Sequence, residues 1–196
     1  NCWATETAID ALARAAGSVP LTFRRRNIAD GEPRLRQVLD TVARMARWED
    51  RTSGATHAFG LACGIYKDMS YAAVVAEVDL AGATPRVVGL WCAHDCGVVV
   101  NPDQVRAQVE GNLVWGLGMA LHEELAIEAG RITATAQHDY ALPRFADVPD
   151  IAVELIASQA APTGAGETAI VAATAAITNA IAAATGQPVT RLPYRA

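Results

Sequence analysis

Apolar side chains at Ala8, Ile9, Leu12 and Ala15 return at helical spacing and stop at Gly17, so the chain is expected to open with an amphipathic helix closed by a glycine. Leu35, Val38, Leu39, Val42 and Met45 repeat the pattern and predict a second helix. The polar stretch 49–56, with Gly54, then reads as a loop or linker. It sets an expected boundary between a helical segment over 1–50, continuing from a region upstream, and an α+β domain over 51–196. Beyond it the period changes. Residues 72–80 are rich in Val and Ala, residues 86–93 are similar, and Ala81, Gly82 and Pro85 lie between them, which predicts a β-hairpin.

At Asn101 the signal turns helical again: Asn101 can cap, Pro102 suits the first helical position, and Gln104 sits where a capping-box side chain reaches back. Val105, Val109, Leu113, Leu117, Leu121 and Leu125 follow at steps of four along one slowly drifting face. The same helix holds Gly111, Gly116 and Gly118, each costing about 1 kcal/mol relative to Ala, so close approach of another group to its backbone is expected. Residues 125–135, centred on Ala129-Gly130, predict a second hairpin, and residues 151–157 alternate like a half-buried strand. The stretch 169–184 has no charge, and Gly186 would end it. Its small side chains, with Thr174, Thr178 and Asn179, suit a packed interior helix better than a membrane span, for which about 17 residues is the lower limit. Helices and strands alternate without a repeat, so the fold class is α+β, built of mixed helices and β-hairpins.

With 52% hydrophobic and 19% charged residues, the composition is that of a globular core. The net charge of −5 is scattered, and the basic run Arg24-Arg25-Arg26 is too short for a nucleic-acid surface, so neither nucleic acid nor an anionic membrane is expected as a partner. Cys2, Cys63, Cys92 and Cys96 form no CxxC pair or disulfide framework, which favours a reduced compartment. The chain starts at Asn1 with a helical pattern and no signal-peptide pattern, as expected of a sequence beginning inside a larger protein.

Candidate chemistry sits at the junctions. In Pro162-Thr163-Gly164-Ala165-Gly166-Glu167, two glycines let the backbone approach a ligand and leave a carboxylate before the uncharged helix. Taken alone, Glu167 reads equally well as a surface carboxylate complementing a helix N-terminus. Cys92-Ala93-His94-Asp95-Cys96-Gly97 places Cys92, His94 and Cys96 on one strand face, but a second ligand pair is missing, so no metal is expected there. Asp95 beside Gly97 is expected to anchor a turn. Gln108 shares a helix face with Gly111, whose missing side chain leaves room for a ligand, although a solvated polar face explains the pair as simply. His138 and Tyr140 read as ordinary loop residues.

In their order these pieces resemble the molybdenum hydroxylase family of xanthine dehydrogenases, aldehyde oxidases and isoquinoline 1-oxidoreductases. The family's Asp-Cys-Gly, Asn-Pro, Gln-x-x-Gly and Gly-x-Gly-Glu elements are similar to Asp95-Cys96-Gly97, Asn101-Pro102, Gln108 to Gly111 and Gly164 to Glu167. Asn179-Ala180, Ala184-Thr185-Gly186 and Arg191-Leu192-Pro193 resemble its closing segment; Glu6, Ile9-Asp10, Leu12-Ala13, Phe23-Arg24 and Arg26-Asn27 resemble its upstream one. One departure is that Glu167 is followed by Thr168-Ala169-Ile170 where the isoquinoline-type branch continues with prolines.

The resemblance implies the C-terminal part of a molybdenum-cofactor-binding domain, hydroxylating an aldehyde or N-heterocycle with oxygen from water. It makes Glu167 the catalytic base and Gln108, Gly164, Ala165 and Gly166 cofactor contacts. It further implies molybdopterin in its cytosine dinucleotide form, the rest of the large subunit, and a small subunit whose [2Fe–2S] clusters take the electrons, since no cluster-ligand pattern is present here. The isolated piece is expected to be inactive. A non-catalytic scaffold domain descended from such enzymes is the alternative.

Overall fold

The computed structural model describes residues 1–195. Among the described residues five helices run over α1 (Cys2–Ala15), α2 (Pro20–Asn27), α3 (Pro33–Met45), α4 (Pro102–Leu121) and α5 (Ile170–Thr185). Six strands run over β1 (His57–Tyr66), β2 (Ser70–Asp79), β3 (Arg86–Asp95), β4 (Ile127–Glu128), β5 (Arg131–Ile132) and β6 (Asp150–Leu155). The main sheet has the order β1-β2-β3-β6, with β1, β2 and β3 antiparallel neighbours and β6 parallel to β3. A parallel return needs a crossover, and α4 is part of it. The small β4–β5 hairpin turns at Ala129 and Gly130, both left-handed, at the dipeptide on which the sequence centres it.

Both faces of the sheet are covered. Ala62, Ala72, Val74 and Cys92 pack into one cluster with Val109 and Leu113 of α4 and Ile177 of α5. Leu61, Val75 and Ala93 pack into another with Val38, Leu39 and Val42 of α3. Alternate residues of each strand therefore enter different layers, and β2 reads as a continuous Val/Ala run because neither of its faces meets water.

Two elements escape the hydrophobic pattern. β1 is built mainly from Ala, Gly and Cys, with Ile65 its single β-branched residue, because α5 lies directly on it. A Cβ at Gly60 would run into the Ala176 carbonyl and the Ala180 amide, and one at Gly116 of α4 would run into Ala173. The close approach expected of the α4 glycines thus holds at Gly116, and at Gly118 against Glu123 and Pro143, while Gly111 faces open space. The second unanticipated element is α2, which starts at Pro20 and carries the arginine run. Arg24 is buried, donating to Glu6 at 2.8 Å and Asp10 at 3.1 Å of α1, and Glu6 also accepts the Cys63 amide of β1 at 2.9 Å. Burial alone would lower the Arg24 pKa, but the two carboxylates overcome it and hold the guanidinium more firmly charged than usual.

α4 stops at Leu121, four residues before the last leucine of the predicted face, because the His122 and Glu123 amides both fold back onto the Gly118 carbonyl at 2.8 Å. Leu125 is left outside, 52% exposed. α5 ends as expected, with left-handed Gly186. No helix among the described residues is long and apolar enough to cross a membrane.

Candidate active site

The chain leaving β6 runs past the end of β3, and the Asp95-Cys96-Gly97 turn holds it there. Thr163 donates both its amide, at 2.8 Å, and its hydroxyl, at 3.0 Å, to the Cys96 carbonyl, and the Val98 amide donates to Ala160 at 2.9 Å. Gly97 is left-handed, and a Cβ on it would run into the Ala161 carbonyl. Asp95 accepts the Gly97 amide at 2.9 Å, the turn anchor expected of it, and takes a two-pronged bond from Arg34 of α3 at 2.7 Å on each oxygen. Burial would raise the Asp95 pKa, but Arg34 and the Gly97 amide bring it below the usual carboxylate value. This segment is therefore an anchor for the glycine-rich loop. Cys92, His94 and Cys96 are all buried, and among the described residues no three His, Cys, Asp or Glu side chains converge as a metal site.

On the other side of the loop stands α4. Its Asn101 accepts the Gln104 amide at 3.1 Å, capping the helix as the sequence predicts. About three turns in, the buried Asn112 joins the two candidate motifs. Its amide nitrogen donates to the Gln108 carbonyl and the Gly166 carbonyl, each at 2.7 Å, and its oxygen accepts the Ile170 amide at 3.2 Å. One side chain thus ties the Gln108 turn, the residue before Glu167 and the start of α5. Its place one turn after Gln108 is visible in the sequence, but its partners, 54 and 58 residues away, are not. Asn112→Ala is expected to leave the Gly166 carbonyl and Ile170 amide without partners and to destabilise the protein by about 1–3 kcal/mol. Urea unfolding checks this; an unchanged midpoint would show that water replaces the amide at no cost.

Glu167 is exposed and lies three residues before the first helical residue of α5, whose first turn holds no acid. Its carboxylate accepts a hydrogen bond from the Tyr66 hydroxyl at the end of β1, not from helix amides. That bond raises the Tyr66 pKa, with smaller contributions from desolvation and the charge of Glu167, while Lys67 opposes it. Tyr66 carried no signal in the sequence, because it precedes a hairpin turn that the pattern did not show. That turn uses Lys67 and Asp68, both left-handed without being glycine. Behind Glu167, the buried Ser70 and Thr168 hydroxyls bond at 2.7 Å and fix the loop to β2.

The backbone amides of residues 164–167 make no hydrogen bond among the described residues. Gly164, Gly166 and, on α4, Gly111 have nothing within 4 Å of where a Cβ would stand. Gln108 is exposed on the same helix one turn before Asn112. Free amide donors, an exposed carboxamide and a carboxylate around open backbone fit a group rich in oxygen and sulfur acceptors, as a molybdopterin cofactor is. The structure brings Gln108, Gly164, Ala165, Gly166 and Glu167 to one end of the molecule. It leaves His138 out, 85% exposed beside Asp139, while Tyr140 bonds Glu123 at 3.0 Å. A cavity of about 530 Å³ elsewhere, lined by Arg14, Arg25, Trp48, Arg51 and Phe59 among others, includes none of the site residues.

The family model described as molybdopterin cofactor-binding domain matches residues 4–149. The chain is 36% identical to the beta chain of isoquinoline 1-oxidoreductase from Brevundimonas diminuta, over 98% of this chain and 25% of that protein. It is 31% identical to a nicotinate dehydrogenase subunit from Pseudomonas putida, over 100% of this chain and 18% of that protein. The chain thus spans a quarter or less of the length of these relatives. Among solved structures, the aldehyde oxidoreductase from Desulfovibrio gigas superposes over 98% of this chain and 39% of that one, with a TM-score of 0.80 at 15% identity, a likeness of fold. With its α+β fold and this match over most of its length, the chain belongs to the molybdopterin cofactor-binding domain family of molybdenum hydroxylase subunits.

Proposed function

We propose that this chain is the part of a molybdenum-dependent oxidoreductase that carries the catalytic base, Glu167, and a portion of the cofactor cradle. The observation that carries it is the Asn112 staple, which fixes the Gln108 turn and the loop before Glu167 to one another beside free backbone amides. When bound, the cofactor would supply two-electron oxidation of a carbon centre, with water as the source of the oxygen added. Gln108, through its side-chain amide, and Gly164, Ala165 and Gly166, through their backbone amides, would hold it. Glu167 takes a proton onto its carboxylate as oxygen is delivered to the substrate.

The relatives point to the substrate class. Isoquinoline and nicotinate, named in two of them, are N-heterocycles, and an aldehyde is named in the structural neighbour. Each offers an electron-poor C–H carbon. The full enzyme on this reading comprises the rest of the large subunit, molybdopterin in its cytosine dinucleotide form, and a small [2Fe–2S] subunit that receives the electrons. The test uses the full-length protein purified with its partners: molybdenum and pterin per chain, and reduction of an artificial dye by N-heterocycles and aldehydes. Stoichiometric molybdenum with substrate-dependent dye reduction is expected, whereas neither is expected of the isolated 196 residues. A full-length protein that carries no molybdenum and reduces no dye would make the chain a scaffold domain.

A further inference from the structure

We propose that Tyr66 is a positioning residue for Glu167: its hydroxyl donates to the carboxylate and fixes the oxygen that takes the proton. The proposal rests on the reading of Glu167 as the base and adds a residue that neither the motifs nor the family match assigns. A carboxylate on an exposed loop just after two glycines has several rotamers open to it, and an unheld base spends only part of its time in line with its proton donor. The tyrosine restricts it. Glu167 is 101 residues away in sequence, yet the Tyr66 hydroxyl reaches its Oε2, leaving Oε1 for the reaction.

The placement of Tyr66 is itself secured. Tyr66 is paired with Ser70 across the hairpin, the Met69 amide donates to the Tyr66 carbonyl at 3.1 Å, and Ser70 holds Thr168, the residue after Glu167, at 2.7 Å. The donor and the carboxylate are therefore linked twice, once directly and once through β2. The Lys67 ammonium lies over the Tyr66 ring, 5.2 Å from its centroid, on the same turn. Both left-handed residues of that turn, Lys67 and Asp68, aim the strand end at the loop.

Three measurements on the full-length holoenzyme test the assignment. Tyr66→Phe, which removes one oxygen, is expected to lower kcat about tenfold, the scale of a lost hydrogen bond to a charged group, with KM and molybdenum content unchanged. In a Glu167→Gln background the same substitution is expected to cost nothing further, because its effect passes through the carboxylate. A fluorotyrosine placed at position 66, followed by its fluorine resonance, is expected to titrate at lower pH in Glu167→Gln than in the unaltered protein. That reading needs no turnover and no Phe variant. A Tyr66→Phe enzyme with unchanged kcat, losses that add in the double variant, or a fluorotyrosine titration indifferent to Glu167 would each overturn the proposal while leaving Glu167 as the base. Near-normal turnover in Glu167→Gln would instead remove the base reading, whatever the fluorine resonance shows.

Discussion

Glu167→Gln in the full-length enzyme is expected to keep its fold and its molybdenum while losing turnover by roughly 10²- to 10⁴-fold, the cost of removing a general base. The substitution is nearly isosteric. Glutamine can still accept the Tyr66 hydroxyl through its carbonyl oxygen, so the loop tied by Asn112 and by the Ser70–Thr168 bond keeps its place. What it cannot do is take up a proton. Gln108→Ala separates this role from cofactor holding: an exposed carboxamide can only position or polarise, so its loss is expected to lower molybdenum occupancy rather than the rate per bound molybdenum. Molybdenum per chain and the rate of the reductive half-reaction, measured on both variants, check the pair. A fully loaded Glu167→Gln enzyme with near-normal rates would leave Glu167 as no more than a surface carboxylate.

The second large effect concerns acid stability. His94 is 1% exposed, and neither ring nitrogen has a hydrogen-bond partner. Burial drives its pKa down from 6.5 to about 4, against smaller opposing pulls from Asp95 and from the Tyr71 backbone, which makes no full hydrogen bond with the ring. The unfolded chain therefore binds a proton at higher pH than the folded one. Stability from this residue is complete above pH 6.5 and declines as pH falls through the window to about 4, by roughly 3 kcal/mol at its lower end. Asp95, held below 3.8, loses its contribution only under that value, so the two windows do not overlap. His94→Leu is expected to keep or raise stability at neutral pH, since it removes two unpartnered polar atoms, and to abolish the loss between 6.5 and 4. Urea unfolding midpoints across that range decide it, and an acid loss that persists in His94→Leu would assign it to other groups.

The sequence was most informative where periodicity and punctuation agree. α1, α3, α4 and α5, the β2–β3 and β4–β5 hairpins and β6 were legible because apolar spacing coincided with a glycine, a proline or a capping residue. β1 was not, because its burial is achieved with alanine and glycine under α5, and small residues carry little strand signal. α2 was hidden by the same arginine run that looked solvated. Its buried member is intelligible only once Glu6 and Asp10 of another helix stand beside it. At the site, Glu167, Gln108 and the glycines could be singled out as a local motif in a family-like order. Tyr66 and Asn112 could not be assigned, since what they do depends on contacts 101 and 54 residues away.

The seating of α5 against Gly60 of β1 and Gly116 of α4 has a consequence for how such a site tolerates change. Where two main chains touch, no rotamer can absorb a displacement, so the helix that follows Glu167 takes its level from the sheet itself. Side-chain substitutions elsewhere in the core can then drift without carrying the carboxylate with them. A loop surveyed from the backbone in this way stays fixed while the side chains around it diversify.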